Sequence, residues 1–322
     1  MDTLRLLREK IVYFAETPYY IGLSSVTEHV EIAETYIEMG RTSGNDFMFT
    51  DVVYRTNHAF EGILKEAYSL LANKDARKKT SYQIEKYLTD HEVFKPRVMD
   101  LFTIYRTLWR NPSTHEYKLS FSEQEAFLVI MSVSAFISIL LDQMLAKLSY
   151  DEEKAETEKN SSAINSVASE IAALPLMQKI VKALLEFSRT IHEAFYEKAT
   201  INEHQVTGMM RAYFDAVLHN IQINEEALLN VSRTYPTLHP DFLFSDSNKN
   251  RLALEVKRHG QKGRASNAIP QILNYLITAN ITRGILYLFP QHKNFEMKQN
   301  THYIEIENIG YEIIVIAPIY AE

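Results

Sequence analysis

The sequence predicts a two-domain α+β chain, with an all-α helical bundle first and an α/β domain with a small central mixed sheet second. Up to about residue 200, apolar residues recur at three-to-four spacing and glycine is rare, which is typical of helices. Beyond residue 200, short apolar and β-branched runs alternate with polar turns, which is typical of strands. A length of 322 residues also favours two domains, because a single core usually stops growing near ~250–300 residues.

The first predicted domain, residues 1–150, holds a helical segment over 98–110 and a long apolar helix that runs to Leu148. Ser122 and Glu125 form the capping-box pattern at the start of the long helix. Its apolar stretch from Ala126 to Leu141 contains three serines and is too short to span a bilayer, so we expect a buried helix.

Residues 151–200 are predicted to be a helical linker. The run DEEKAETEKNSS, from Asp151 to Ser162, is charged and free of aromatic residues, which indicates a linker or a helical extension. The remainder, to Thr200, has helical periodicity that is interrupted at Pro175.

The second domain, residues 201–322, begins with a predicted helix over about 203–221. Two strands follow, Asp241–Ser245 and Arg251–Lys257, and the polar pentapeptide DSNKN between them predicts a hairpin. A helix over 270–278 with Pro270 at its start leads to two buried strands, 284–289 and 309–317.

Composition and motif content exclude several classes of protein. A net charge of −7 argues against a uniformly basic nucleic-acid-binding surface, and the lack of cysteine excludes disulfides and thiolate chemistry. The first twenty residues hold no cleavable apolar segment, so a cytoplasmic protein without a membrane anchor is expected. Phosphate-binding loops, dinucleotide-binding glycine motifs and serine-hydrolase elbows are absent from the sequence.

Three chemically active residues lie on the predicted hairpin of the second domain. Alternation along a strand places Glu255 and Lys257 on one face, and the hairpin brings Asp241 close to them. Carboxylate oxygens are the ligands that Mg²⁺ or Mn²⁺ prefers, so Asp241 and Glu255 are the candidate metal ligands. A metal held there activates water, while the Lys257 ammonium positions that water beside a phosphate.

This pattern, Pro240-Asp241 followed by Glu255-X-Lys257, resembles the PD-(D/E)XK nuclease superfamily. The resemblance implies a restriction-endonuclease-like fold and Mg²⁺-dependent cleavage of DNA. Gln271 and Tyr275 share a helix face and are similar to an accessory motif that orients the site, which adds Gln271 to the catalytic set and Tyr275 to the accessory residues. Glu203 matches, more weakly, an accessory acid on the first core helix. Neighbouring basic residues are expected to neutralise phosphates: Arg258, Lys262 and Arg264.

A second motif lies in the first domain, where Arg110 and His115 follow the predicted helix over 98–110. A fixed cation and an imidazole can bind a phosphodiester and move protons without metal. The string Arg110-Asn111-X-X-X-His115 resembles the Arg-X4-6-His motif of HEPN domains, although Pro112 departs from many members. The resemblance implies a HEPN-like bundle, RNA cleavage by Arg110 and His115 with Asn111 as an accessory residue, and a homodimer formed through this domain.

The sequence therefore leads to one principal expectation and two rivals. The principal expectation is a DNA nuclease, an endonuclease rather than an exonuclease, that acts in prokaryotic anti-phage defence, with a second, metal-independent RNase site and a partner protein from a defence system. One rival keeps the DNA nuclease but makes the helical domain a dimerisation or sensing module. The other rival is a catalytically inactive interaction protein.

Overall fold

The computed structural model forms two compact units, Met1–Lys147 and Leu148–Glu322. For His115 and residues 264–267 the structure describes the backbone but not the side chains. The backbone is described for residues 2–115, 118–190, 201–227, 239–260, 264–290 and 295–320.

The first unit is helical throughout its regular structure, as predicted. Its core is built around α3 (Phe47–Leu71), where Phe60 stacks on Tyr105 with ring centroids 4.6 Å apart and lies 5.2 Å from Phe136. Such aromatic packing buries large apolar areas and fixes the helix positions. The helices are α1 Thr3–Ile11, α2 Tyr20–Ser43, α3 Phe47–Leu71, α4 Ser81–Asp90, α5 Pro96–Tyr105, α6 Asn111–His115 and α7 Glu123–Lys159, whose last residues belong to the second unit.

The long helix α7 confirms the capping box and the buried apolar stretch. The Glu125 carboxylate accepts the Ser122 N–H at 2.8 Å, and the Ser122 hydroxyl accepts the Glu125 N–H at 3.3 Å. By length and composition α7 could cross a membrane, but 61% of its most apolar window is buried inside the protein. Burial of this kind is typical of the core helix of a soluble protein. The charged run after Asp151 extends the helix to Lys159.

The described part of residues 151–200 is helical, as predicted, but it belongs to the second unit's core and is not a linker. Apolar residues of α8 (Ser161–Ile171) and α9 (Leu176–Thr190) are buried in one cluster with residues of the sheet. Ile164, Ile171 and Ile180 belong to this cluster, so both helices are part of the second unit's core. Their amphipathic periodicity was visible in the sequence, and it serves to cover a sheet face.

The second unit contains a mixed six-stranded sheet in the order β1-β2-β3-β4-β6-β5. Strands β3, β4 and β6 are parallel to one another, and the remaining pairs are antiparallel. β1 and β5 are edge strands that the sequence analysis missed, because their polar, exposed residues lack an apolar run. The strands are β1 Gln222–Glu225, β2 Phe242–Ser245, β3 Arg251–Arg258, β4 Arg283–Phe289, β5 Phe295–Ile306 and β6 Ile309–Tyr320.

Helices cover both faces of the sheet. Phe242, Leu254 and Val256 pack on one face with α8, α9 and α10 (Glu203–Val217), while Ala253 packs on the other face with residues of α11 (Arg264–Ala279). The prediction that this last helix starts at Pro270 is wrong, because Pro270 lies inside α11. Burial of its residues Ile272 and Leu276 against the sheet offsets the backbone hydrogen bond that Pro270 cannot donate.

A glycine permits the close approach of α11 to β4. A Cβ atom at Gly284 would lie 3.0 Å from Cδ1 of Ile272, tighter than ordinary van der Waals contact. The missing side chain at this position therefore sets the depth at which α11, and with it Gln271 and Tyr275, sits over the sheet.

Candidate functional site

The β2–β3 hairpin brings Asp241 to the carboxyl end of β3, as the hairpin prediction requires. Phe242 pairs with Leu254 in the antiparallel ladder, so Asp241 stands one residue before the first pair. Its Oδ2 accepts the backbone N–H of Val256 at 2.7 Å. This anchor, a backbone group, fixes the carboxylate in a way that no residue pattern could have revealed.

Glu255 and Lys257 flank Val256 on β3, and strand alternation places them on the face opposite the apolar one that buries Val256. The Lys257 ammonium lies 2.8 Å from Glu255 Oε1 and 3.0 Å from Glu203 Oε1. Glu203 reaches this point from the first turn of α10, which Asn202 caps. The sequence predicted that Asp241, Glu255 and Lys257 converge; in the structure Lys257 contacts Glu255 and also Glu203, which was expected only as an accessory acid.

The helix over the same sheet face completes the cluster. Gln271 Nε2 donates to Glu255 Oε1 at 2.8 Å and to the Tyr275 hydroxyl at 2.6 Å. The four-residue spacing predicted this shared helix face. Gln271 thus restrains the Glu255 carboxylate, and Tyr275 in turn restrains the Gln271 amide.

Burial and mutual repulsion set the charges of the two carboxylates. Burial, followed by the charge of Glu255, raises the pKa of Asp241 well above its ordinary value. Burial also raises the pKa of Glu255, against the opposing effect of Lys257. Burial alone would lower the pKa of Lys257, but the three surrounding carboxylates outweigh it and raise that pKa. Lys257 is therefore a permanent cation and a hydrogen-bond donor near pH 7.

The two carboxylates suit a hard divalent cation. Glu255 is 2% exposed, and its Oε2 is buried with no hydrogen bond of ordinary geometry among the described residues, although the nearby Asp241 N–H lowers the pKa of this carboxyl slightly. A buried carboxylate oxygen without a partner is costly unless a cation or water satisfies it. The described residues gather no group of three or more His, Cys, Asp or Glu side chains as a metal cage. A cation would therefore use Asp241 and Glu255 and complete its shell with water or phosphate oxygens, as Mg²⁺ commonly does.

Of the three basic residues expected to contact nucleic acid, Arg258 is the one whose side chain the structure describes. Arg258 is partly buried, and its Nη2 donates to the backbone carbonyl of Ile201, so this guanidinium ties β3 to the start of α10. This bond argues against the expectation that Arg258 serves to neutralise a phosphate of the nucleic acid. Lys262 and the side chain of Arg264 lie outside the described residues.

In the first unit, Arg110 does not lie at a helix end as predicted. Arg106–Arg110 form a π-helical turn after α5, and the chain continues directly into α6, which ends at His115. Pro112 explains the wide turn, because it has no N–H to give to Leu108 and its ring would clash with that carbonyl. The Asn111 N–H accordingly donates to the carbonyl of Arg106, five residues earlier.

The surroundings of Arg110 are acidic, which the sequence analysis missed. Arg110 Nη2 lies 3.8 Å from Glu61 Oε1 and 3.8 Å from Glu85 Oε1, beyond hydrogen-bond distance. Its Nη1 donates to Asn111 Oδ1 at 3.2 Å. Glu85 is 4% exposed, and burial raises its pKa against the opposing charges of Arg110 and Arg106. The sequence did hold one signal of this acidic environment: Glu85 is a charged residue on the apolar side of α4.

Neither a family model, nor a curated protein, nor a solved structure matches the chain. The chemistry of both clusters therefore has to follow from their own residues and geometry.

Proposed function

We propose that the second unit is a metal-dependent nuclease that hydrolyses phosphodiester bonds of DNA. One observation carries the proposal: Lys257 and Gln271 both contact Glu255 Oε1 at the carboxyl end of β3, beside Asp241, and Glu255 Oε2 is buried without a hydrogen bond of ordinary geometry among the described residues. A purely structural ion pair would be expected to satisfy both oxygens of a buried carboxylate.

The residues divide the work by their contacts. Asp241 and Glu255 would hold Mg²⁺ or Mn²⁺, and a bound divalent ion supplies charge neutralisation and a water of lowered pKa. Lys257, held at 2.8 Å by Glu255 and at 3.0 Å by Glu203, donates hydrogen bonds to the attacking water or to a phosphate oxygen. Because Lys257 stays protonated, it orients the water and stabilises charge but does not remove a proton.

Gln271 and Tyr275 act on the site through Glu255. Two hydrogen bonds in series, at 2.8 and 2.6 Å, keep the carboxylate in one orientation. Holding a ligand in its productive geometry before substrate binds reduces the reorganisation needed at the moment of reaction.

The cellular setting remains an expectation drawn from the resemblance. We propose a cytoplasmic protein with DNA as substrate and an endonucleolytic mode of attack, while anti-phage defence and a partner from a defence system stay predictions. Self-association through the helical unit has one supporting observation, since Phe127, Leu128 and Met131 of α7 are 52%, 51% and 39% exposed. Adjacent exposed apolar side chains of this kind are typical of interaction surfaces.

Cleavage assays test the proposal directly. Supercoiled plasmid and single-stranded DNA are incubated with Mg²⁺ and the parent protein, Asp241→Ala, Lys257→Ala or the control Asp246→Ala. Asp246 lies on the same hairpin, but its carboxylate is bonded within the β2–β3 turn. We expect at least ~100-fold slower cleavage for the first two variants, the scale of losing one stabilising donor, and parental rates for the control. Unchanged cleavage by Asp241→Ala and Lys257→Ala would exclude this site.

The rivals are separated by two further measurements. Metal-independent RNA cleavage stays a prediction: two carboxylates face Arg110, and the side chain of His115 lies outside the described residues. If labelled RNA is cut in EDTA and Arg110→Ala or His115→Ala abolishes the cutting, the RNase expectation holds. No RNA cleavage by the parent favours a helical unit that only dimerises or senses. Calorimetry with Mn²⁺ addresses an inactive interaction protein, which should give no heat of metal binding.

A further inference from the structure

The second unit contains a cleft of about 580 Å³ at the opposite end of the sheet from the nuclease residues. Three connections meet there: the loop between α8 and α9, the segment between α10 and β1, and the β2–β3 turn. A volume of this size falls within the ~300–1,000 Å³ typical of small-molecule sites. The nuclease mechanism uses none of the residues that line the cleft.

The cleft has an apolar floor and a polar rim. Leu174, Pro175 and Ile221 of the lining are at least partly accessible and form the apolar floor, which offers a surface for a flat or apolar group. Lys179 of α9 and Arg283 of β4 contribute fixed positive charges at the rim. A cleft that has both apolar surface and positive charge selects ligands that have both an apolar part and an anionic part.

The acid in the lining, Asp246, is occupied by the turn. Its Oδ1 accepts the backbone N–H groups of Asn248 and Asn250 at 2.9 Å each, and its Oδ2 accepts the Asn250 side-chain amide at 2.8 Å. Hydrogen bonds from Asn250, with a smaller contribution from the charge of Lys179, lower the pKa of this carboxyl. These hydrogen bonds hold Asp246 in the turn as a fixed anion, and the two cations Lys179 and Arg283 outnumber it in the lining, so the cleft favours an anionic ligand.

Arg283 is only partly neutralised by its neighbours. Its Nε lies 3.5 Å from Glu312 Oε2, and half of its side chain is exposed. An exposed pair at this distance is weak and can exchange for a stronger, charge-assisted contact with a phosphate oxygen. Amide groups of Asn248 and Asn250 stand at the same rim and add polar atoms.

We propose that this cleft binds a mononucleotide, with the base against the apolar floor and the phosphate between Lys179 and Arg283. The proposal does not depend on the nuclease activity. A ligand there would contact the turn that joins β2 to β3, the two strands that lead to Asp241 and to Glu255. At ~3.3 Å per residue along β3, the two sites are separated by roughly 20 Å.

Calorimetry in EDTA with the four nucleoside 5′-monophosphates, adenosine and inorganic phosphate tests the proposal on the full chain. We expect at least one monophosphate to bind with a Kd below ~1 mM, and Lys179→Ala or Arg283→Ala to weaken that binding at least tenfold. Lys159→Ala, a change of an exposed lysine outside the cleft, should leave the affinity unchanged. Thermal unfolding of each variant verifies folding.

Three outcomes would overturn the proposal. The first is a Kd above ~1 mM for all four monophosphates. The second is nucleotide binding that is retained in both Lys179→Ala and Arg283→Ala, or that is lost in Asp241→Asn. In either case the nucleotide would bind elsewhere on the protein. The third is inorganic phosphate binding as tightly as any monophosphate, because the apolar floor would then contribute nothing to recognition. Failure of DNA cleavage with intact nucleotide binding would reject the nuclease and retain this site.

Discussion

Asp241→Asn should stabilise the second unit in the absence of divalent ions, even though it removes a carboxylate proposed to be a metal ligand. The asparagine keeps an oxygen that can accept the Val256 N–H, now 2.7 Å from Oδ2, but it removes a buried negative charge beside Glu255. The pKa of Asp241 is raised in the folded protein, so its ionised form costs stability at every pH above the unfolded value of about 4. Neutralising the side chain removes that cost.

The expected magnitude follows from known replacements of buried ions. Neutral residues of similar volume often stabilise by ~1–4 kcal/mol, and we expect about 1–2 kcal/mol because Lys257 already compensates part of the charge. For a domain the size of residues 148–322, each ~1 kcal/mol shifts the melting temperature by ~2–4 °C. Adding 10 mM Mg²⁺ should stabilise the parent by ~1.4 kcal/mol if the Kd is near ~1 mM, and should leave the variant unchanged.

Thermal melts at pH 7.5 with EDTA and with Mg²⁺ provide the measurement, and the unfolding of the second unit is the transition to follow. Asp246→Asn is the matched control on the same hairpin: its carboxylate is bonded to Asn248 and Asn250, so it should lose stability slightly and keep the response to Mg²⁺. An Asp241→Asn protein that melts at or below the parental temperature in EDTA, and gains as much from Mg²⁺ as the parent, would refute the reasoning.

Three further predictions concern other described residues. Gln271→Ala removes one of two contacts to Glu255 Oε1 and should slow DNA cleavage about tenfold with an unchanged DNA affinity, as measured by separate kcat and KM values. Burial and the charge of Glu156 raise the pKa of Glu153 to about 7, so stability should fall by roughly 3 kcal/mol as pH rises from about 4.5 to about 7. The free energy of unfolding of Glu153→Gln, measured in urea, should not show this fall with pH. A fall as large as that of the parent would contradict the prediction. Arg258→Ala should cost ~1–2 kcal/mol of stability without changing the salt dependence of DNA binding, because its guanidinium is bonded to Ile201.

The sequence predicted the elements that carry strong local patterns. The hairpin was predictable because the polar run from Asp246 to Asn250 separates two apolar strands, and period-two alternation placed Glu255 and Lys257 on one face. The capping box fixed the start of α7 in the same way. These features depend only on near neighbours in the chain.

Other features depend on distant partners, and the sequence did not predict them. The edge strands β1 and β5 are defined by pairing with β2 and β6 rather than by apolar runs of their own. Arg258 looked like a free cation because its partner, the Ile201 carbonyl, is a backbone group far along the chain. The acidic neighbours of Arg110 come from α3 and α4, and no local pattern links them to the Arg-X4-His string.

The cluster around Lys257 and the cluster around Arg110 each place a cation beside carboxylates, but they differ in how closely these groups are held. Around Lys257, the carboxylates of Glu203 and Glu255 lie at hydrogen-bond distance, and Gln271 also holds Glu255. Around Arg110, the carboxylates stand 3.8 Å away, and buried Nε of Arg110 and Oε1 of Glu85 have no hydrogen-bond partner within the described part of the first unit. Charges aimed at a fixed point before substrate arrives favour catalysis, whereas loosely spaced ones must first reorganise. Phosphodiester cleavage is therefore expected first at the end of β3.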